Sequence, residues 1–145
     1  MFFGQYEHTI DEKGRITIPA RFRGTLENGA YLTRGFDKNL ILLTRDAFEK
    51  ISRSINQLSI TDPNTRLLLR LIYSSANEVE FDKIGRILIQ GFLKQAANLE
   101  SAAVVVGAGN YIEIWNPESW NQHMLELEDT EANNQRFAPL ELTVE

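Results

Sequence analysis

Asp11-Glu12-Lys13-Gly14-Arg15-Ile16-Thr17-Ile18-Pro19 decides how this chain is read, because the stretch returns. Seventy-one residues later stands Asp82-Lys83-Ile84-Gly85-Arg86-Ile87-Leu88-Ile89-Gln90, again Asp-x-x-Gly-Arg followed by an apolar, β-prone run. Self-similarity at a fixed offset marks a duplicated architecture. Whatever Arg15 does, Arg86 is placed to do as well. Each copy has the chemistry of a tight turn. The aspartate accepts from the backbone two residues on, and the glycine supplies a positive φ three positions later. That combination predicts a type I turn closed by a glycine bulge. Strands are expected at Tyr6–Ile10 and Ile16–Ile18 in the first copy, and at Val79–Phe81 and Ile87–Ile89 in the second. Each arginine then stands at the base of a hairpin tip, with Lys13 and Lys83 inside the tips.

Outward from the tips the copies stay in step. Short helical segments are expected at Ala20–Leu26 and Phe92–Leu99. Strand pairs follow at Ala30–Thr33 with Leu40–Leu43 and at Ala103–Val106 with Tyr111–Trp115, joined by Gly-, Asp- and Asn-rich links. Thr44 and Asn116 suit helix N-caps, and Pro117 suits a first helical position. Phe48 and Trp120 match at an offset of 72, so the second copy carries one inserted residue. Between the copies, Asp62-Pro63 opens a helix with Leu67, Leu68, Leu71 and Ile72 as its buried stripe and Arg66 and Arg70 on a solvated face. After Asp129 periodicity fades, and residues 130–145 read as a tail docked through Phe137 and Leu140.

At 145 residues, 43% hydrophobic and 24% charged, the composition is that of an ordinary globular protein. The longest apolar runs are too short to span a bilayer. No secretory leader pattern opens the chain, so a cytoplasmic location is expected. The absence of cysteine excludes disulfides, thiolate metal sites and cysteine catalysis. The net charge is −5, unevenly spread. Residues 113–145 hold eight acids against Arg136 alone, whereas 1–112 hold fourteen bases against twelve acids. Between Glu12 and Gly24, Lys13, Arg15, Arg21 and Arg23 face only Glu12. Local charge decides whether a surface attracts phosphate.

Catalysis has little support. His8 and His123 belong to no repeated feature and read as surface or edge residues. Gly107-Ala108-Gly109-Asn110 lacks the third glycine and the lysine of a phosphate loop. No metal site, cofactor or small-molecule substrate is expected. The tips allow two readings that stand level at this point. Asp11 can pair with Arg15, and Asp82 with Arg86, simply to fix the turns. Alternatively, the arginines serve binding: lysines accompany both, Arg21 and Arg23 extend the first, and two basic prongs suit a repeating polyanion. A two-stranded β ribbon fits the DNA major groove, where arginine bonds bidentately to guanine.

Gly4-Gln5-Tyr6, DEKGRITIPARFR, the second DKIGRILI, the doubled architecture and the length together resemble the MraZ family, whose halves are each similar to the SpoVT/AbrB DNA-binding domain. The resemblance implies an α+β fold: a β-rich pseudo-twofold duplication of swapped-hairpin halves forming a small barrel, with connecting helices. It implies AbrB-like units at 5–47 and 76–119, connecting helices at 48–75, and a C-terminal helix with acidic tail at 120–145. The implied protein is a nucleoid-associated regulator that assembles with itself into a ring. It binds direct repeats in double-stranded DNA of its own promoter, ahead of a cell-wall and cell-division gene cluster. Arg15 and Arg86 fall on the family's DNA-contacting arginines. Lys13, Lys83, Arg21 and Arg23 are the accompanying candidates, and Asp11, Gly14, Asp82 and Gly85 the turn-fixing residues. Pro19 against Gln90 is a departure, since proline is common there in both halves. The rival reading is an AbrB-like protein-interaction module of antitoxin type, its hairpins structural and its function in the tail.

Overall fold

The computed structural model describes residues 1–144; Glu145, the last residue of the expected acidic tail, lies outside them. The strands are β1 (Gln5–Thr9), β2 (Arg15–Thr17), β3 (Ala30–Arg34), β4 (Leu40–Thr44), β5 (Asn77–Val79), β6 (Arg86–Leu88), β7 (Ala102–Gly107) and β8 (Ile112–Trp115). The helices are α1 (Ala20–Leu26), α2 (Arg45–Asn56), α3 (Pro63–Tyr73), α4 (Gly91–Ala96), α5 (Pro117–Glu126) and α6 (Thr130–Phe137), with a final 3-10 turn at Ala138–Leu140. This is the expected α+β class.

The caps form as the sequence foretells. Thr44 accepts from Ala47 N at 3.1 Å, Asp62 from Asn64 N at 2.8 Å and Asn116 from Ser119 N at 3.1 Å. Each satisfies one of the orphan N–H groups of a helix start. The inserted residue of the second copy falls in the link between α4 and β7. Pro19 and Gln90 both lead into their helices in extended geometry, at φ −49 and −65, so the departure leaves the path of the chain unchanged.

Strand pairing departs from two self-contained hairpins. A six-stranded antiparallel sheet runs β1-β7-β8-β4-β3-β5, and β2 pairs with β6 in a separate ribbon. Each copy therefore lends its first strand to the other, β1 to β7 and β5 to β3. The first copy's two arms meet as a hairpin would at the isolated bridge Ile10↔Ile16 and at the turn, where Asp11 N donates to Arg15 O at 3.0 Å. The strands are thus swapped as expected, but the barrel is not closed. β1 and β5 stand at opposite edges of the sheet, and the ribbon pairs with itself across the sheet's face.

Alternation along the strands assigns both faces. Ala103 and Val105 of β7, Ile112 and Ile114 of β8, Leu40 and Leu42 of β4 and Leu32 of β3 point into one core. Ile16, Ile18, Ile87 and Ile89 close it from the ribbon side, together with Phe22 of α1 and Leu93 of α4. Burying each of these side chains larger than Ala103 stabilises the fold by about 1.5–3 kcal/mol. Val104, Val106 and Trp115 face the other way and pack with Trp120 of α5. Tyr31 of β3 stacks on Phe48 of α2 at 4.5 Å on that same outer side. The acid-bearing α5 therefore lies on the sheet face opposite the ribbon.

Two expectations need correction. Leu67 of α3 is 61% exposed, and the buried positions are Thr65 and Ile72. The helix is anchored at its end instead, where Thr33 Oγ1 lies 3.0 Å from Ile72 O and 2.9 Å from Ser75 Oγ. The tail is helical from Thr130 to Leu140, with Asp129 capping α6 by accepting from Ala132 N at 3.1 Å. Phe137 and Leu140 do not dock it, being 48% and 71% exposed.

Candidate nucleic-acid interface

The two turns are built alike. Asp11 Oδ1 accepts from Lys13 N at 3.0 Å and Arg15 N at 2.8 Å, while Oδ2 accepts from Arg15 Nε at 2.8 Å. Asp82 Oδ1 accepts from Ile84 N at 3.1 Å and Arg86 N at 2.9 Å, and Oδ2 from Arg86 Nε at 2.7 Å. Gly14 and Gly85 follow at φ +84 and +83, in the region open to glycine. These bonds hold both carboxyls below the ordinary aspartate range, the backbone N–H of Arg15 or Arg86 being the largest cause. Each aspartate thus bonds the backbone of its own turn, with the glycine three residues on at positive φ.

The tips are neighbours in one structure. β2 and β6 pair antiparallel with Ile16 opposite Ile87, Arg15 opposite Leu88 and Thr17 opposite Arg86. Ile89 N donates to Gly14 O at 2.8 Å and Ile18 N to Gly85 O at 3.0 Å, extending the ribbon to each tip. With Ile16 and Ile87 turned into the core, Arg15, Thr17, Arg86 and Leu88 share the outer face. Arg86 Nη1 also reaches Asp11 Oδ2 at 3.4 Å, so one carboxylate touches both arginines. Their side chains are 35% and 26% exposed, Arg15 the more open. Pinning a guanidinium at Nε fixes its plane and leaves terminal N–H donors for a ligand.

A family model described as "MraZ protein, putative antitoxin-like" matches residues 1–71 and again 72–138. The chain belongs to the MraZ family. The protein named Transcriptional regulator MraZ of Herpetosiphon aurantiacus is 48% identical over 120 residues, 83% of this chain and 84% of the relative. Its namesake in Roseiflexus castenholzii is 44% identical over 133 residues, 92% of each chain. That of Thermomicrobium roseum is 45% identical over 120 residues. The paired family matches meet the duplication at its seam, and in this MraZ chain the matched segments interlace in one sheet.

The remaining candidates separate. Lys13 and Lys83 are exposed in the turns. Arg21 donates from Nη1 to Tyr6 Oη at 2.6 Å and lies 5.2 Å from the Phe3 ring centroid. Arg23 bridges the two copies. Its Nε donates to Ile18 O at 2.9 Å, and its guanidinium lies where a Cβ on Gly85 would be, against the second tip. His8, read as an edge residue, sits near enough that Arg23, after partial burial, holds its imidazole below the ordinary value. His123 is a surface residue whose ring lies 4.6 Å from that of Trp115. The residue that sequence reasoning missed is Leu88. It is 49% exposed between two buried isoleucines, directly opposite Arg15. Its signal was available: β alternation puts Leu88 on the same face as Arg86. No helix among the described residues is long and apolar enough to cross a membrane.

Proposed function

We propose that the chain is a sequence-specific DNA-binding transcriptional regulator that enters the major groove with its β2–β6 ribbon. The observation that carries this reading is the pair of arginines on the ribbon's outer face, each fixed at Nε by its own turn aspartate. A ribbon of two strands fits the major groove, and arginine's bidentate fork matches guanine O6 and N7. The name shared by the relatives supports the regulatory role. On this reading residues 5–47 and 76–119 are the DNA-binding repeats, and Arg15 and Arg86 the principal contacts. Lys13, Lys83, Arg21 and Arg23 supply charge. The target is a set of direct repeats upstream of the chain's own cell-division and cell-wall cluster, bound in the nucleoid by a ring-like homo-oligomer. Repeated tips on one assembly raise affinity through effective concentration. The acidic α5, on the sheet face away from the ribbon, does not oppose the approach of phosphate.

Fluorescence anisotropy on the upstream duplex, across a salt series, tests the reading. Arg15→Ala and Arg86→Ala are each expected to weaken binding by about 1–3 kcal/mol. Circular dichroism should remain that of the wild type. A double variant that binds as tightly as wild type overturns the assignment. An antitoxin-type interaction module is the second reading, favoured by the family description and the exposed Ile84 and Phe92. Under it the double variant keeps a protein partner and DNA affinity never depended on the arginines.

A further inference from the structure

The two tips share a turn but not its surroundings. Residues 11–15 carry two acids and two bases, a balanced tip, whereas 82–86 carry Lys83 and Arg86 against Asp82 alone. The pseudo-twofold then delivers different partners. Arg23, from the helix after the first ribbon strand, lies on Gly85, and it has no ion-pair partner among the described residues. At the first tip the neighbour is Leu88, whose Cδ1 is 3.6 Å from where a Cβ on Gly14 would stand. Leu88's counterpart in the first copy is Thr17 and Arg23's in the second is Lys94, which does not reach Gly14. Ile84, the large apolar side chain of the second tip, sits in the turn and not on the ribbon's outer face.

Such surroundings suit different parts of DNA. Phosphate is held by cationic side chains and backbone N–H groups and carries no sequence information, whereas base edges are read by directed donors and apolar contacts. In the major groove, thymine is distinguished by its C5-methyl group. An exposed leucine beside a fixed arginine offers a methyl contact next to a guanine contact. We infer that the tips divide recognition: Arg15 with Leu88 reads base edges, including a thymine methyl, while Arg86 with Arg23 holds backbone phosphate. The inference rests on the DNA-binding reading above and deepens it.

The test uses a duplex that the full-length wild-type protein selects from a random pool, synthesised once with thymine and once with deoxyuridine. Deoxyuridine pairs identically and lacks only the methyl. Wild type is expected to bind the deoxyuridine duplex about fourfold more weakly for each methyl contacted. Leu88→Thr, which installs the first copy's residue, should lose that factor on the thymine duplex and treat both duplexes alike. Arg23→Ala should weaken selected and scrambled duplexes alike and make the salt slope shallower by about 1, leaving the thymine-to-deoxyuridine ratio intact. Three results overturn the division: no deoxyuridine penalty in wild type, a full penalty persisting in Leu88→Thr, or an unchanged salt slope in Arg23→Ala. Undiminished affinity of Arg15→Ala/Arg86→Ala is a separate result, and it defeats the DNA-binding reading itself.

Discussion

The first and second tips use the same five-residue device, and their aspartate bonds agree to within 0.1 Å. What covers the two glycines differs. Gly85 lies under the guanidinium of Arg23, while Gly14 lies against Leu88 and the carbonyl of Ile89. The aspartates differ too, since Asp11 touches both arginines and Asp82 only its own. Duplication has preserved the backbone geometry while letting the flanking chemistry diverge. Local turn chemistry constrains the first; neighbours supplied by the opposite copy determine the second.

The shared part of the comparison breaks most severely at its axis. Ile16 and Ile87 face each other at 0% and 1% exposure, so Ile16→Ala and Ile87→Ala should each cost about 2–5 kcal/mol in urea unfolding. Similar losses are expected, because the two side chains hold equivalent places; a twofold difference would show that one copy dominates the core. The glycines should separate the tips. Alanine in the left-handed region costs about 1–2 kcal/mol at either site. At Gly14 the new Cβ would also meet Ile89 O at 2.7 Å, a carbonyl held by the backbone, whereas at Gly85 it meets the mobile end of Arg23. Gly14→Ala should therefore be the less stable variant, and Gly85→Ala the one that alters DNA affinity by displacing Arg23. The helix caps provide a control away from the tips: Thr44→Ala and Asn116→Ala should each cost about 1 kcal/mol. Equal values there, with unequal glycines, localise the divergence.

Acid is the gentlest probe. Asp11 and Asp82 have folded-state pKa values below their ordinary 3.8. Their contribution is whole above that value and is lost as pH falls through the folded pKa. The Nε–H resonances of Arg15 and Arg86, followed by NMR, should hold their positions down to about pH 4 and shift below it. Asp11→Asn should perturb both signals and Asp82→Asn that of Arg86 alone.

Much of this was legible in the sequence because the signals are local. Asp-x-x-Gly fixes a turn, Thr44 and Asn116 cap helices, and alternating residues in β3, β4, β7 and β8 sort themselves between two faces. Strand partners were not legible. Alternation in Tyr6–Thr9 says which side chains are buried, but not that β1 lies beside β7 instead of β2. That choice depends on how the whole chain fills a core, and it carried Arg23 from its neighbours in sequence to the other copy's tip. Leu67 misled for a related reason: its spacing fits a stripe, yet α3 is tied down at its C-terminal end and leaves that flank to water. The α6 helix was missed because its cap, Asp129, precedes a segment with no apolar face.

The pairing of β2 with β6 carries an evolutionary consequence. A polypeptide with a single copy has no second ribbon strand of its own and nothing to fill the place beside β7 or β3. It could complete the sheet only by meeting another such polypeptide, and its folding would then depend on concentration. Joining two copies in tandem makes that encounter internal. It also releases the copies from being identical, since symmetry is no longer enforced by two molecules made from one gene. An arginine over one glycine and a leucine beside the other are differences that a symmetric ancestor of this kind could not have kept.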